Sequence, residues 1–186
     1  MDYFVYCRDR PGVMELRWEL AEAHWSFMDR YAETMIARGP TLTPDGEAAT
    51  GSAHIVGLPD AAAARTFAFE EPNYRAGVYD DVLIRRFTNT LGRTMWEFPG
   101  GREGLLIIAH DPATAAMPGE LVAAEDRDRL IACGPLLSDD GTQWLGTAIM
   151  AELPDRSAAE AMMARAPVRY ATVEVHPWRF GGRPAA

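Results

Sequence analysis

The stretch IARGPTLTPDG, Ile36 to Gly46, recurs ninety-five positions later as IACGPLLSDDG, Ile131 to Gly141. At this constant offset, residues 39–60 and 134–155 share ten identities in 22 positions, among them Gly-Pro, Asp-Gly and Leu-Pro-Asp. Similarity of this extent indicates an internal repeat, and a repeat constrains the architecture before any residue is given a role. The sequence therefore predicts two copies of one structural unit.

Each copy predicts the same succession of elements. In the first copy we expect a strand, a long helix, a hairpin, a helix and a strand, at residues 3–7, 13–38, 41–57, 60–70 and 81–87. The long helix is predicted from apolar residues spaced three and four positions apart, and Gly39-Pro40 is expected to end it. Asp60 is a suitable N-cap for the following helix. The second copy predicts the same order at residues 105–109, 119–132, 135–152, 158 onward and 172–177.

The order β-α-β-β-α-β defines the ferredoxin-like unit, in which helices cover one face of an antiparallel sheet. The other face of each sheet cannot remain exposed if it is apolar. We therefore expect an α+β protein in which two ferredoxin-like units pack sheet against sheet as an intrachain pseudo-dimer. Pro-Gly-Gly at 99–101 indicates the boundary, which gives units 1–98 and 99–186.

Composition and charge limit the partners, the location and the cofactors that we expect. The formal charge of -9 opposes the phosphate backbone of nucleic acid, so we expect no nucleic-acid partner. The sequence lacks both a run of roughly 18 apolar residues and the pattern of a secretory signal, so we expect a cytoplasmic protein outside the membrane. Cys7 and Cys133 lack the spacing of metal ligands and are expected to be buried thiols. Since no nucleotide-binding or metal-binding motif stands out, we expect no cofactor.

Several motifs of the first copy follow the order of a known family. In chain order they are FVYC, AHWSFM, ARGP, GSAHIVGLPD and EEPNYRAGVYDDVLIRRF. Through these motifs, residues 3–87 resemble the YciI-like (YCII-related) family of dimeric α+β barrel proteins. The second copy resembles the family more weakly, through ACGPLLSDDG, GTAIMAELPD and VEVHPWRF. The resemblance implies that one chain forms the whole dimeric α+β barrel.

The resemblance also implies a site made of a histidine and an acid. His24 matches the histidine, while Glu71 stands where the family usually has aspartate. The second copy has Ala166 in place of Glu71 and no histidine on its predicted long helix, so the implied site lies only in the first half. The superfamily includes a dehydrochlorinase of a chlorinated hydroxylated aromatic, as well as cofactor-free isomerases and monooxygenases. Fold alone does not select among these activities.

His24 and Glu71 are the candidate catalytic residues. An imidazole suits general acid or base chemistry near neutral pH, and a nearby carboxylate can orient it. Pro72 favours an extended conformation at Glu71, at the end of a helix. Glu70 is a rival for the same role. The structural alternatives are a core histidine bonded to a backbone carbonyl and a solvated glutamate.

His54, Tyr74 and Trp25 are the candidate substrate-binding residues. If Ala53 and Ile55 face the helices, His54 faces the interior between the sheets, where a barrel would hold a ligand. The alternative is an exposed histidine on an edge strand. Trp25 and Tyr74 are suited to line a pocket that accepts an aromatic ligand, although core packing explains any single aromatic residue equally well.

These residues favour a cofactor-independent enzyme of lyase or isomerase type, acting on a small aromatic or polyketide-like molecule by proton transfer. An alternative from another class is a ligand-binding or interaction protein of the same fold that performs no chemistry. Cofactor-free oxygenation is a third hypothesis. We expect a small molecule as the partner and no bound metal, and pairing of two chains into a homodimer is left open.

Overall fold

The structure is a computed structural model, and it describes residues 1–183. The first half contains β1 (Asp2–Asp9), α1 (Met14–Glu19), α2 (Ala21–Asp29), β2 (Met35–Leu42), β3 (Ala49–Gly57), α3 (Ala61–Phe69), α4 (Pro72–Arg75) and β4 (Tyr79–Phe87). The second half contains β5 (Glu103–Pro112), β6 (Leu130–Leu137), β7 (Trp144–Ala151), α5 (Arg156–Arg165) and β8 (Tyr170–Arg179). Short 3₁₀ helices lie at Ala32–Thr34, Met95–Glu97 and Ala124–Arg129. None of the helices within residues 1–183 has both the length and the apolar character needed to cross a membrane.

The eight strands close into one antiparallel barrel in the order β1-β3-β2-β8-β5-β7-β6-β4. Each half contributes four neighbouring strands with equivalent connections, β4-β1-β3-β2 and β8-β5-β7-β6. The halves join at two seams, where Thr41 of β2 pairs with Trp178 of β8 and where Phe87 of β4 pairs with Leu136 of β6. The predicted pair of ferredoxin-like units in one α+β barrel is confirmed.

Side chains from both halves fill the barrel interior. The core cluster there includes Phe4, Tyr6, Leu106, Ile108 and Trp178, all of them almost fully buried. Two further clusters lie on the outer faces of the barrel, one under α2 and α3 and the other under α5. Because successive strand residues alternate between faces, each strand supplies one set of side chains to the interior and another to the helices.

The predicted long helix over 13–38 is wrong at its C-terminal end. The segment forms two short helices and a 3₁₀ turn, and β2 begins at Met35. Buried and half-buried residues alternate along β2, which is the period of a strand rather than of a helix. The helix predicted over 119–132 is also wrong, because the segment forms a 3₁₀ helix at Ala124–Arg129 and β6 begins at Leu130.

The Gly-Pro of the repeated motif therefore lies inside a strand, where we expected a helix end. A Cβ atom on Gly39 would lie 1.9 Å from the backbone oxygen of Arg179, across the seam between β2 and β8. A Cβ atom on Gly134 would lie 2.0 Å from the backbone oxygen of Thr88, beside the other seam. The repeated glycine thus allows the close approach of the two halves at both seams.

The turns and helix starts of the repeat agree with the sequence. Asp60 accepts a hydrogen bond from the Ala63 backbone N–H at 2.8 Å, and Asp155 accepts the equivalent bond from Ala158 at 2.9 Å. Gly46 has a φ of 76°, in the left-handed region that an Asp-Gly turn requires. The local signals that ordinary caps and turns provide are therefore read correctly from sequence.

The segment that connects the halves packs against the barrel. Met95 and Phe98 are buried in the interior core, while Trp96 is exposed. The Thr90 hydroxyl donates to the Cys133 backbone oxygen at 2.8 Å. The predicted boundary between the units, after residue 98, therefore lies in a segment that packs against both halves of the barrel.

Candidate active site

A cavity of about 280 Å³ lies outside the barrel, between the first two helices and strands β2 and β3. His24 and Trp25 of α2 line it, as does His54 of β3. The second half contributes Arg179, the last residue of β8, and the three residues that follow it, 180–182. The site is therefore carried by the first half and completed by the end of the second half.

The expectation that His54 faces the barrel interior is wrong. Ala53 and Ile55 belong to the interior core, so His54 faces the helices. Its ring packs edge-on against Phe67 of α3, with the ring centroids 5.5 Å apart. The cavity lies on this helical side, so His54 lines the site from the face opposite to the one predicted.

The structure brings His24 and Glu71 together. Glu71 is 2% exposed and has an extended backbone before Pro72. One of its carboxylate oxygens accepts a hydrogen bond from the Tyr74 backbone N–H at 2.9 Å, which caps α4. The other oxygen contacts Nδ1 of His24. The rival, Glu70, is exposed and pairs with Arg75 instead.

This contact favours one tautomer of His24. Beside an ionised Glu71 carboxylate, which only accepts hydrogen bonds, Nδ1 is the nitrogen that carries the proton and donates the hydrogen bond. In the neutral ring, Nε2 is then the nitrogen with a free lone pair. His24 lines the cavity, so its ring borders any molecule bound there.

His54 is the second imidazole of the cavity. It is 3% exposed, and its ring centroid lies 6.0 Å from that of His24. Burial lowers the pKa of His54 well below its usual value, and the charges of His24, Arg38 and Arg17 lower the pKa further. Within residues 1–183 its buried Nδ1 has no hydrogen-bond partner. His54 is therefore a neutral imidazole at the wall of the cavity.

A buried polar network that sequence reasoning missed supports the site. Arg17 donates to both oxygens of Asp9, at 2.7 and 3.0 Å, and to the Ser52 hydroxyl at 3.0 Å. The Tyr79 hydroxyl donates to Ser52 at 3.3 Å, and Asn73 Nδ2 donates to Tyr79 at 3.2 Å. Burial raises the pKa of Tyr79 well above its usual value, which keeps this hydroxyl protonated as a donor.

The sequence offers few signals for this network, because its five members come from five different elements, β1, α1, β3, α4 and β4. Three members lie within motifs that carry the family resemblance, Ser52 in GSAHIVGLPD and both Asn73 and Tyr79 in EEPNYRAGVYDDVLIRRF. Asn73 follows Glu71 by two positions. Its amide nitrogen lies 3.3 Å from Nδ1 of His24, so it borders the His24–Glu71 pair directly. Membership of these motifs was the available signal for Ser52, Asn73 and Tyr79.

The two predicted aromatic residues have different positions. Trp25 lines the cavity, and the Arg183 guanidinium lies 5.9 Å from the centroid of its ring. Tyr74 is 39% exposed and packs on Phe69 at a centroid distance of 4.8 Å, and it is not among the residues that line the cavity. The assignment of Tyr74 to the substrate site is therefore corrected, because the short α4 helix directs its ring away from the cavity.

The second half has apolar residues at the equivalent positions. Ile149 replaces His54 and Ala166 replaces Glu71, and both are buried in the cluster under α5. His110 and His176 both contact Glu174, at 3.1 and 3.2 Å. Within residues 1–183 no group of three or more His, Cys, Asp or Glu side chains has the arrangement of a metal site.

We expect the free energy of unfolding to depend on pH through His54. An unfolded chain binds a proton at histidine below about pH 6.5, whereas the folded chain excludes it from His54, so stability decreases as the pH falls below that value. One such group contributes about 1.4 kcal/mol per pH unit. Guanidinium chloride unfolding at about pH 7.5 and about pH 5.5 should show a decrease that is roughly 1 kcal/mol smaller in His54→Gln than in the wild type.

Part of the decrease should persist in that variant. Burial also lowers the pKa of His176, which therefore contributes in the same direction. An equal decrease in the wild type and in His54→Gln would show that His54 is protonated in the folded protein.

Comparison with known proteins gives one family and several similar chains. A family model for the YCII-related domain matches residues 1–88. An uncharacterized protein of Haemophilus influenzae is 31% identical over 94 residues, which cover 47% of this chain and 96% of that relative. The matched region is the half that holds His24, Glu71 and His54.

Two solved structures share a similar backbone. The 5-chloro-2-hydroxyhydroquinone dehydrochlorinase of Burkholderia phenoliruptrix, solved with 2,5-dihydroxybenzoquinone, is 24% identical, with a TM-score of 0.46 over 50% of this chain and 99% of that chain. A Lactobacillus acidophilus protein provisionally assigned as a monooxygenase is 7% identical, with a TM-score of 0.45 over 97% of this chain and 96% of that one. The family model matches residues 1–88, and the similarity to the Haemophilus protein extends over 96% of that relative. On these two findings, the chain belongs to the YCII-related domain family.

Proposed function

We propose that the protein is a cofactor-independent enzyme that transfers a proton on a small molecule bound beside His24. The observation that carries this proposal is the contact between His24 Nδ1 and the buried carboxylate of Glu71, at the wall of a cavity. A histidine that is oriented by a carboxylate and open to a ligand is an arrangement suited to general base catalysis.

In the proposed step, Nε2 of His24 takes a proton from a carbon of the ligand. The electron pair of the broken C–H bond forms a double bond as a leaving group departs with its own pair, which is an elimination. In an isomerisation, His24 instead returns the proton to another carbon. In both cases the imidazole becomes an imidazolium, and the Glu71 carboxylate stabilises its positive charge through Nδ1–H.

The lining of the cavity favours a small planar ligand. Trp18, Trp25 and Phe180 surround it with aromatic surface, and His54 supplies a neutral polar group. An engineered cavity of about 150 Å³ holds benzene, so a cavity of about 280 Å³ accommodates one ring with substituents. We propose a small aromatic or polyketide-like substrate on this basis.

We also propose that the two halves of the chain have different roles. The unit 1–98 carries the base and its acid, and the unit 99–186 completes the barrel and closes one side of the cavity through residues 179–182. This division explains how the second half can have Ile149 and Ala166 in place of the histidine and the acid and still preserve the repeated seam glycine.

The test is a screen for compounds in which the protein catalyses hydrogen–deuterium exchange or elimination. The wild type is incubated in deuterated buffer with a panel of small aromatic and 1,3-dicarbonyl compounds, and loss of C–H signals is followed by NMR. Turnover of a compound in the cavity supports the proposal. Ligands that bind near His24 without any turnover would favour the alternative of a binding protein, and oxygen consumption would favour oxygenation.

With a substrate in hand, Glu71→Gln should lower the turnover rate roughly 10- to 100-fold, because a hydrogen bond to a charged group contributes about 1.5–3 kcal/mol. Glutamine keeps the shape of the side chain and removes the charge that stabilises the imidazolium. Glu70→Gln is the matched control, since Glu70 is exposed and should leave the rate unchanged. Equal rates in the two variants would contradict the role of Glu71.

A further inference from the structure

Arg38 and His54 present their side chains to the same cavity. They are direct partners in the ladder between β2 and β3, so both side chains extend from one face of the sheet. Both line the cavity beside His24. The cavity wall beside His24 therefore includes a guanidinium group and a neutral imidazole.

The guanidinium of Arg38 has unused donors. Its side chain is 16% exposed, and its Nε and Nη1 atoms are buried without a hydrogen-bond partner in the described chain, residues 1–183. The nearest acid is Asp29, at 3.8 Å from Nη1, which is beyond hydrogen-bond distance. Asp29 instead accepts a hydrogen bond from Arg183 at 3.0 Å.

Arg17, the other buried arginine of the cavity, differs in this respect. It donates to Asp9 and to Ser52, so its charge and its donors are already satisfied by the protein. A buried guanidinium without such partners is costly unless something supplies acceptor atoms. The pair of unpartnered donors is therefore specific to Arg38.

We propose that the cavity binds a small planar carboxylate, with the carboxylate on the guanidinium of Arg38 and beside His54 and the reacting C–H bond toward His24. This inference rests on the proposed function for the role of His24, and it adds the chemical class of the substrate. Arginine suits the role because its planar fork matches the two oxygens of a carboxylate.

The second half holds Arg38 in place. The Gly181 backbone N–H donates to the Arg38 backbone oxygen at 2.9 Å. A Cβ atom on Gly182 would lie 2.9 Å from Nη2 of Arg38, so the chain passes directly beside the guanidinium. The end of the second half thus positions the proposed anchor of a ligand whose chemistry occurs in the first half.

The test compares benzoate with benzamide, which has nearly the same shape and no charge. Binding is measured by isothermal titration calorimetry and by chemical-shift changes. Benzoate should bind the wild type about tenfold or more tightly than benzamide, because charge-assisted hydrogen bonds to arginine are the strong ones. Arg38→Gln should remove this preference, and Arg38→Lys should keep only part of it, since lysine lacks the fork.

Arg65→Gln is the matched control, because Arg65 is an exposed arginine paired with Asp139 away from the cavity. It should bind benzoate like the wild type. Equal or absent binding of benzoate and benzamide by the wild type, or a benzoate preference that survives in Arg38→Gln, would overturn the inference.

A further variant separates this inference from the proposed function. His24→Gln should retain the preference for benzoate, since the anchor is Arg38 and not His24. A benzoate preference in a protein that turns over no compound would leave the inference standing and reject the enzyme. Turnover of neutral substrates without any preference for benzoate would support the enzyme and overturn the inference about Arg38.

Discussion

Replacing His24 with glutamine should lower the turnover rate of the enzyme by a factor of about 10² to 10⁴, the usual contribution of a general acid or base. Glutamine fills a similar volume and can still donate to Glu71, but it has no basic nitrogen to accept the proton of the substrate. The rate measured at saturating substrate should fall, while the substrate affinity should change little, because the lost interaction belongs to the transition state.

The integrity of the variant must be checked separately. His24→Gln should keep the circular dichroism spectrum and, if the inference about Arg38 holds, the preference for benzoate over benzamide. A variant that is folded and retains the wild-type rate would show that another group moves the proton. Catalysis by His24 would then be rejected, and the contact with Glu71 would be a structural one.

Replacing Gly39 or Gly134 with alanine should destabilise the protein by about 3 kcal/mol or more, at the upper end of what overpacking costs. In both cases the new Cβ would meet a backbone oxygen at 2.0 Å or less. A backbone oxygen cannot rotate away as a side chain can, so the strands beside it must separate. Each substitution therefore opens one seam between the halves.

Gly119→Ala is the matched control, because no atom lies within 4 Å of its Cβ position. Guanidinium chloride unfolding of the three variants should show large decreases for Gly39→Ala and Gly134→Ala and little change for Gly119→Ala. Three equally stable variants would contradict the close contact of the halves at the seams. A decrease in only one of the seam variants would show that the two seams are not equivalent.

The fold was predictable to the extent that its signals are local. The repeat, the capping aspartates Asp60 and Asp155 and the turn at Gly46 are each read from a few neighbouring residues, and the structure agrees with them. The seam glycines were misread as helix ends, because Gly-Pro is a common stop signal. Their actual role depends on Arg179 and Thr88, which are distant in sequence.

The site was predictable where a motif carried it. The family resemblance located His24 and Glu71, and the proline after Glu71 correctly predicted its extended backbone. The face of His54 was wrong, because alternation along β3 separates two faces without showing which of them is the barrel interior. Arg38 was missed because its significance depends on the donors that the rest of the fold leaves unpaired.

The most direct test of the central claim is the protonation of the two nitrogens of His24, measured by ¹⁵N NMR on histidine-labelled protein at neutral pH. We expect a pyrrole-type signal for Nδ1, which donates to Glu71, and a pyridine-type signal for Nε2. The His24 signals are identified by their loss in His24→Gln, and the two nitrogens are distinguished by their couplings to the ring protons Hδ2 and Hε1. The Glu71→Gln variant should weaken this preference. A proton on Nε2 and a free Nδ1 in the neutral wild type would contradict the claim, because the nitrogen beside Glu71 would then have no proton to donate and the cavity no base.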